Sequence, residues 1–97
     1  MTYDEAKQRL AAALTATAAQ CESCTALLAE CSTLGMPGPA SVYTSLHGPV
    51  LAWMHGASVI TLYGDAAGKV DCWADNNPVV AGLTPAQAAA WLKEWIA

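Results

Sequence analysis

Residues 50–75 constrain the fold most strongly, because runs of β-forming residues alternate there with two tight turn signals. Gly56-Ala57 suits a two-residue hairpin turn with glycine first. Residues 65–68 suit a longer turn that ends in a left-handed glycine. This stretch therefore predicts three antiparallel strands. Residues 41–46 alternate in the same way, so we expect a sheet of three or four strands.

Residues 2–34 contain neither glycine nor proline and predict a long N-terminal helix. Thr2 and Glu5 form a capping-box pattern, and Gly35 ends the helix. Such a helix would be about 45 Å long, whereas a strand is about 20 Å long. One end of the helix would then extend beyond the sheet unless the helix breaks. A break at residues 15–17 is therefore the alternative, since threonine has a lower helix propensity. The apolar stripe at helical spacing is Leu10, Leu14, Thr17, Cys21, Cys24, Leu28 and Cys31.

A second helix is predicted at the end of the chain. Thr84, Pro85 and Gln87 form a strong start signal: a cap, a proline at the first helical position and a glutamine three residues after the cap. Asn76-Asn77-Pro78 predicts the end of the last strand, and residues 79–83 predict an apolar connector. We thus expect one α+β domain over residues 1–97: a long N-terminal helix, whole or broken, a three- or four-stranded antiparallel sheet and a C-terminal helix.

The predicted turns also fix which side chains share a side of the sheet. They pair Met54 with Val59, Ala52 with Thr61, and Thr61 with Cys72. The opposite side then carries Leu51, Trp53, His55, Ile60, Leu62, Asp71 and Trp73. Both sides are substantially apolar, whereas a water-exposed side of an antiparallel sheet is usually polar. Helices must therefore cover both sides, or a second molecule covers one of them.

The chain is poor in charge: 55% of its residues are apolar and 12% are charged, against about a quarter charged in ordinary domains. A surface with so little charge predicts a covering partner, either another protein or a second copy in a homodimer. The net charge is −4, with only four basic residues. This balance argues against a nucleic-acid partner, which needs clustered lysine and arginine.

The order helix, strands, helix resembles that of double-stranded-RNA-binding domains in topology alone. Those domains use basic residues on their second helix, where this chain has only Lys93. The resemblance therefore assigns no family. No run of eighteen strongly apolar residues occurs, and Asp4 and Glu5 lie where a signal peptide would be basic. We expect no membrane partner and a cytoplasmic location.

The cysteines first suggest zinc, since Cys21 and Cys24 have the spacing of a metal knuckle. Both lie within a helical pattern, and Cys31 would be about 10 Å from Cys24 along that helix. These three thiolates cannot share one tetrahedral ion, although Cys21 and Cys24 with Cys72 and a histidine could. The favoured interpretation is that the cysteines are small buried hydrophobic residues. We predict no metal and no cofactor.

No catalytic residues are predicted. His47 and His55 each precede a glycine at a strand end, without a nucleophile in a recognisable pattern. We therefore expect no enzyme. A nucleophilic cysteine paired with a histidine is a third hypothesis, and it would require a thiol that reacts quickly at neutral pH.

The leading hypothesis is a non-enzymatic interaction module, an inhibitor or adaptor that docks on a protein or on its own copy through an apolar sheet face. Tryptophan is enriched at interface hot spots, and the predicted partner-binding residues are Trp53, His55, Ile60, Asp71 and Trp73. The alternative for Trp53 and Trp73 is a place in the core under the C-terminal helix. The runner-up function is a small-ligand or metal-binding domain, whose pocket between the long helix and the sheet is lined by Cys21, Cys24, Tyr63 and Cys72.

Overall fold

The computed structural model describes residues 1–13 and 16–96, and these residues form three helices and five strands. In chain order the elements are α1 (Tyr3–Ala11), α2 (Ala18–Thr33), β1 (Ser41–Ser45), β2 (Gly48–His55), β3 (Ser58–Gly64), β4 (Val70–Ala74), β5 (Asn77–Leu83) and α3 (Pro85–Ile96). The α+β class is confirmed. None of the helices in this part of the chain combines the length and the hydropathy needed to cross a bilayer.

The N-terminal region forms two helices, so the single long helix is wrong and the broken one is confirmed. Thr17, predicted to lie on the helical stripe, is instead the N-cap of α2. Its hydroxyl accepts from the Gln20 backbone N–H, and the Gln20 side chain accepts from the Thr17 N–H at 3.0 Å. This capping box starts a new helix even though no glycine or proline precedes it. Leu14 of the stripe and Thr15 of the predicted break lie outside the described residues.

The strands form an antiparallel meander in the order β1-β2-β3-β4-β5. The fifth strand was not predicted, because Asn76-Asn77-Pro78 indicated an end. Asp75 and Asn76 have φ angles of 50° and 65°, as in a two-residue type I′ hairpin turn. Asparagine and aspartate tolerate this left-handed conformation. Pro78 then fits in β5, since that strand lies at the edge of the sheet.

The predicted register holds between β2 and β3 but not between β3 and β4. Met54 pairs with Val59, as expected. Thr61, however, pairs with Trp73 and not with Cys72. The Asp65 N–H donates to the Lys69 carbonyl at 2.9 Å, which makes the turn one residue longer than predicted. A shift of one residue exchanges the sides of a strand, so Asp71 and Trp73 lie opposite Trp53 and Ile60.

All three helices pack on the same side of the sheet and share one core with it. The helices contribute Ala6 and Leu10 from α1, Cys24, Leu27, Leu28 and Cys31 from α2, and Ala88, Ala89 and Leu92 from α3. The sheet contributes Val42, Leu51, Trp53, Ile60, Leu62, Val70, Cys72 and Ala74. Of the two arrangements expected from the sequence, the structure has the one in which helices cover one side. No described element covers the other side.

A glycine sets how closely α2 approaches the sheet. A Cβ atom at Gly64 of β3 would lie 2.5 Å from the Gln20 carbonyl oxygen and 3.0 Å from Cys24 Sγ, and it would overlap the Ser23 hydroxyl. Only glycine allows this contact. At the same end of the sheet, Gln20 Nε2 donates to the His47 carbonyl at 2.8 Å. The start of α2 is thereby fixed beside the β1–β2 and β3–β4 turns.

Candidate functional site

The candidate site begins with the side of the sheet that the helices leave free, here named the open face. Its outer side chains are Tyr43, Met54, Val59, Tyr63 and Trp73, with Ser41 and Asp71 as polar members, and its floor is Val50, Ala52 and Thr61. Among the outer residues, Tyr43 is 48% exposed and Met54 is 56% exposed. The open face is therefore an apolar, largely aromatic surface exposed to solvent.

The aromatic side chains of the open face cover its floor. Val50 pairs with Tyr43 on one side and with Tyr63 on the other, and it is completely buried. Burial, and secondly the nearby Tyr63, raise the pKa of Tyr43. The rings of Tyr63 and Trp73 lie 5.8 Å apart with a 57° tilt, a favourable aromatic pairing. The open face is thus a packed layer and not a scatter of single apolar residues.

Asp71 lies on the open-face side of β4 and stabilises an irregularity in the next strand. The pairing of β4 with β5 shifts register between Val70 and Cys72, and Gly82 opposite them has a φ angle of 71°. Such a bulge leaves a backbone group without its ladder partner. Asp71 Oδ1 accepts from the Gly82 N–H at 3.0 Å. One oxygen of this carboxylate therefore has a structural role that the sequence did not indicate.

A cavity of about 400 Å³ adjoins the open face where the β1–β2 and β3–β4 turns meet α2, and we name it the turn-end cavity. Its lining includes Gln20, His47, Tyr63, Asp65, Asp71 and Trp73. Tyr63, Asp71 and Trp73 belong to both the cavity and the open face. The two features therefore form one continuous surface that combines aromatic rings with carboxylates.

The structure separates the five predicted partner-binding residues. Asp71 and Trp73 lie together on the open face, but Trp53 and Ile60 are 2% and 0% exposed in the core. Trp53 Nε1 also donates to the Pro37 carbonyl at 2.9 Å. His55 is exposed at the far end of β2. The candidate surface is corrected accordingly. Trp53 and Ile60 leave it because the helices cover their side of the sheet, and Asp71 and Trp73 lie on the other side because the longer β3–β4 turn shifts β4 by one residue.

Tyr43, Met54 and Tyr63 were missing from the predicted site. The sequence contains the information needed to find them, because the correctly predicted β2–β3 register places Met54 and Tyr63 on the side opposite Trp53. Tyr43 follows from the same alternation along β1. The incorrect register of β4 grouped Asp71 and Trp73 with the buried side of the sheet that carries Trp53.

Three of the four cysteines are core residues, and Cys21 is half-buried. Cys24, Cys31 and Cys72 are buried and free, and burial raises the pKa of each thiol to about 12. Thiols with such pKa values stay protonated and are poor nucleophiles near neutral pH. The ligand pocket predicted between the N-terminal helix and the sheet does not form. Cys24 and Cys72 lie in the core, whereas Tyr63 lies on the opposite side of the sheet.

Other arrangements for chemistry are also separated. His47 precedes β2 and His55 ends it, so the two histidines lie about 26 Å apart along an eight-residue strand. Within residues 1–13 and 16–96, no three side chains of histidine, cysteine, aspartate or glutamate are placed to hold a metal ion together. The open face and the turn-end cavity are therefore the candidate site.

Comparison of the chain with protein-family models, with curated proteins and with solved structures found no significant match.

Proposed function

We propose that this chain is a small non-enzymatic interaction module that acts as an inhibitor or adaptor by docking on a protein through its open face. The observation that carries the proposal is a five-stranded sheet whose three described helices pack on one side, while the aromatic layer on the other side is partly exposed and no described element covers it. An antiparallel sheet face in water is usually polar. Tyrosine, tryptophan and methionine are instead enriched at protein interfaces.

The dimensions of the sheet indicate how such a partner would bind. Strands about 4.8 Å apart make a face about 20 Å wide, and seven residues extend it to about 23 Å. Its projected area is about 450 Å², and its side chains make the accessible area larger than this projection, so the face approaches the roughly 800 Å² that each partner buries in a standard interface. The turn-end cavity is the concave part of the rim, and contacts there would add to the area buried by a partner.

The charges support a partner with a basic patch. The chain has a net charge of −4, and Asp65 and Asp71 line the turn-end cavity beside the open face. Three of the four basic residues lie on the other side of the sheet, Lys7 and Arg9 on α1 and Lys93 on α3. The fourth, Lys69, is exposed in the β3–β4 turn, next to the carboxylates of the cavity. Complementary charge steers association and fixes the orientation of docking.

The absence of an enzymatic role is part of the proposal. The three buried thiols have pKa values raised to about 12, which does not suit nucleophilic catalysis. The two histidines lie at opposite ends of β2 and cannot act together. These features support a binding role over a catalytic one.

The test compares the chain with a double variant, Tyr43→Glu with Met54→Glu, as bait in an extract of the cells that produce it. A control with two charges on exposed helix positions, Ala29→Glu with Ala90→Glu, has the same net charge. We expect one protein to be retained by the wild type and the control and lost by the open-face variant. If the partner is a second copy, light scattering will instead show a dimer that only the open-face variant abolishes. Equal retention and equal mass for both variants would contradict the proposal.

A second candidate function, small-ligand binding, is favoured by the turn-end cavity. Its volume of about 400 Å³ falls within the range of about 300–1,000 Å³ typical of ligand pockets. Native mass spectrometry of the purified chain tests this function. A stoichiometric small molecule that leaves when Trp73 is replaced by alanine would support it, and a mass equal to the bare chain would count against it.

A further inference from the structure

The turn-end cavity pairs two aromatic rings with two fixed carboxylates, which is the chemistry that recognises an organic cation. We propose that this cavity binds the guanidinium group of an arginine presented by the protein that docks on the open face. The inference rests on the proposed function and names the feature of the partner that this end of the chain would recognise.

The aromatic part of the cavity is the Tyr63–Trp73 pair, whose ring centroids are 5.8 Å apart. The faces of aromatic rings attract cations, tryptophan most strongly. A guanidinium group is planar and weakly hydrated, so it stacks on such rings more readily than a lysine ammonium group does. This favours arginine over lysine as the bound residue.

The carboxylates are held in place before anything binds. Asp65 Oδ1 accepts from the N–H groups of Ala67 and Lys69, both at 2.9 Å. Asp71 Oδ1 accepts from the Gly82 N–H at 3.0 Å. In both residues these bonds use Oδ1, and no donor within residues 1–13 and 16–96 bonds to Oδ2, so Oδ2 can accept from a ligand. Because the chain has already ordered these side chains, binding need not order them again.

The opposite wall of the cavity is also fixed. Gln20 accepts from the Thr17 N–H through Oε1 and donates to the His47 carbonyl through Nε2 at 2.8 Å. These two hydrogen bonds hold the Gln20 side chain in place, and with it this wall of the cavity. Recognition of the cation then depends on the aromatic pair and the two carboxylates. A guanidinium group offers five donors, enough to reach a carboxylate while its plane lies on a ring.

The source of the cation follows from where the cavity lies. Tyr63, Asp71 and Trp73 line the cavity and also form part of the open face. A protein that covers this face necessarily reaches the mouth of the cavity. An arginine inserted at the end of the open face would add a buried anchor of the kind found at interface hot spots.

The experiment titrates the full chain with N-acetyl-arginine N-methylamide and follows backbone and indole N–H signals by NMR. The neutral citrulline analogue, of nearly the same shape, and the lysine analogue are the controls. We expect shifts concentrated in residues 63–73 and at the Trp73 indole, with the arginine compound binding at least about fivefold more tightly than citrulline. Equal binding of arginine and citrulline, or shifts centred elsewhere, would overturn the inference.

Charge-removing variants sharpen the test. Asp65→Asn and Asp71→Asn keep an oxygen acceptor for the backbone bonds but remove the charge, and each is expected to weaken arginine binding about threefold to tenfold. Asp75→Asn is the matched control at the other end of the sheet, where Oδ1 accepts from the Val59 N–H at 2.9 Å. It should leave binding unchanged. An equal loss in all three variants would mean diffuse attraction and would refute a specific site.

The design separates the two proposals. The open-face variant with Tyr43→Glu and Met54→Glu leaves the lining of the cavity intact, so arginine binding should survive in it. If that variant still captures the partner, the docking proposal fails, whatever the cavity binds. If arginine shows no preference while the open-face variant loses the partner, only the present inference fails.

Discussion

Replacing Trp53 by leucine tests which side of the sheet is core, and Trp73 provides the matched control. Trp53 is 2% exposed and its indole N–H donates to the Pro37 carbonyl. Trp73 is half-buried on the open face beside Tyr63. Both residues lie on central strands of the same sheet, so the substitution has the same chemistry at the two positions. The sequence alone had placed them on one side.

The expected cost follows from what each side chain buries. A buried tryptophan side chain removes about 150–250 Å² from water. Its replacement by leucine loses roughly a third of that buried area, which corresponds to about 2 kcal/mol of hydrophobic stabilisation at 25 cal/mol per Å². The lost hydrogen bond to Pro37 adds about 1 kcal/mol. Trp53→Leu should therefore lower the free energy of unfolding by about 3 kcal/mol, in line with large-to-small changes in cores. Trp73→Leu should cost about 1 kcal/mol or less, mainly its contact with Tyr63.

Urea unfolding followed by far-ultraviolet circular dichroism measures both variants, with unchanged denaturant slopes as the check on two-state behaviour. In thermal unfolding the Trp53 variant should melt at least about 12 °C lower, since about 1 kcal/mol shifts Tm by 4–8 °C in a domain of this size. Equal losses at the two positions, or a larger loss at Trp73, would refute the assigned register of β4 and with it the open face.

Three further changes test the structure around the site. Gly64→Ala should cost about 1–3 kcal/mol of unfolding free energy by urea titration, because its Cβ would overlap α2; a gain in stability would contradict the close contact. Asp71→Ala should cost about 1–2 kcal/mol by leaving the Gly82 N–H unpaired, and Asp71→Asn should restore most of that loss. Folding should weaken as pH rises from about 9 towards 12, because burial raises the pKa of Cys31 and Cys72 from 9.0 to about 12, so that the unfolded chain loses these protons first. Stability that stays level over that range in urea titrations would count against the burial of these thiols.

The helix boundaries show what local sequence signals can and cannot predict. The cap of α3 was predicted correctly, and Thr84 and Gln87 exchange both hydrogen bonds of a capping box. The capping box at Thr17 has the same form but lies within a run free of glycine and proline. The absence of glycine and proline from residues 2–34 favoured one helix. Tertiary packing decides whether such a segment forms one helix or two helices separated by an internal cap.

The sheet shows how one residue changes the predicted site. The β3–β4 turn has five residues because Asp65 Oδ1 binds two N–H groups of the loop, an interaction that the turn pattern did not reveal. Because the turn is one residue longer than predicted, Asp71 and Trp73 lie on the other side of the sheet. The β4–β5 hairpin differs from the prediction because Asn76-Asn77-Pro78 indicates the end of a strand, whereas Asp75 and Asn76 adopt the left-handed conformation of a tight turn. The apolar character of both sides of the sheet, in contrast, was predictable, and it led to the expectation that helices cover both sides or that a second molecule covers one of them.

The most direct test of the central claim is site-specific photocrosslinking in the cells that produce the chain. A benzoylphenylalanine in place of Met54 lies on the open face, and one in place of Ala29 lies on an exposed position of α2. The account predicts that the Met54 position forms one discrete adduct, with another protein or with a second copy, and that the Ala29 position forms none. No adduct at Met54, or the same adduct from both positions, would contradict it.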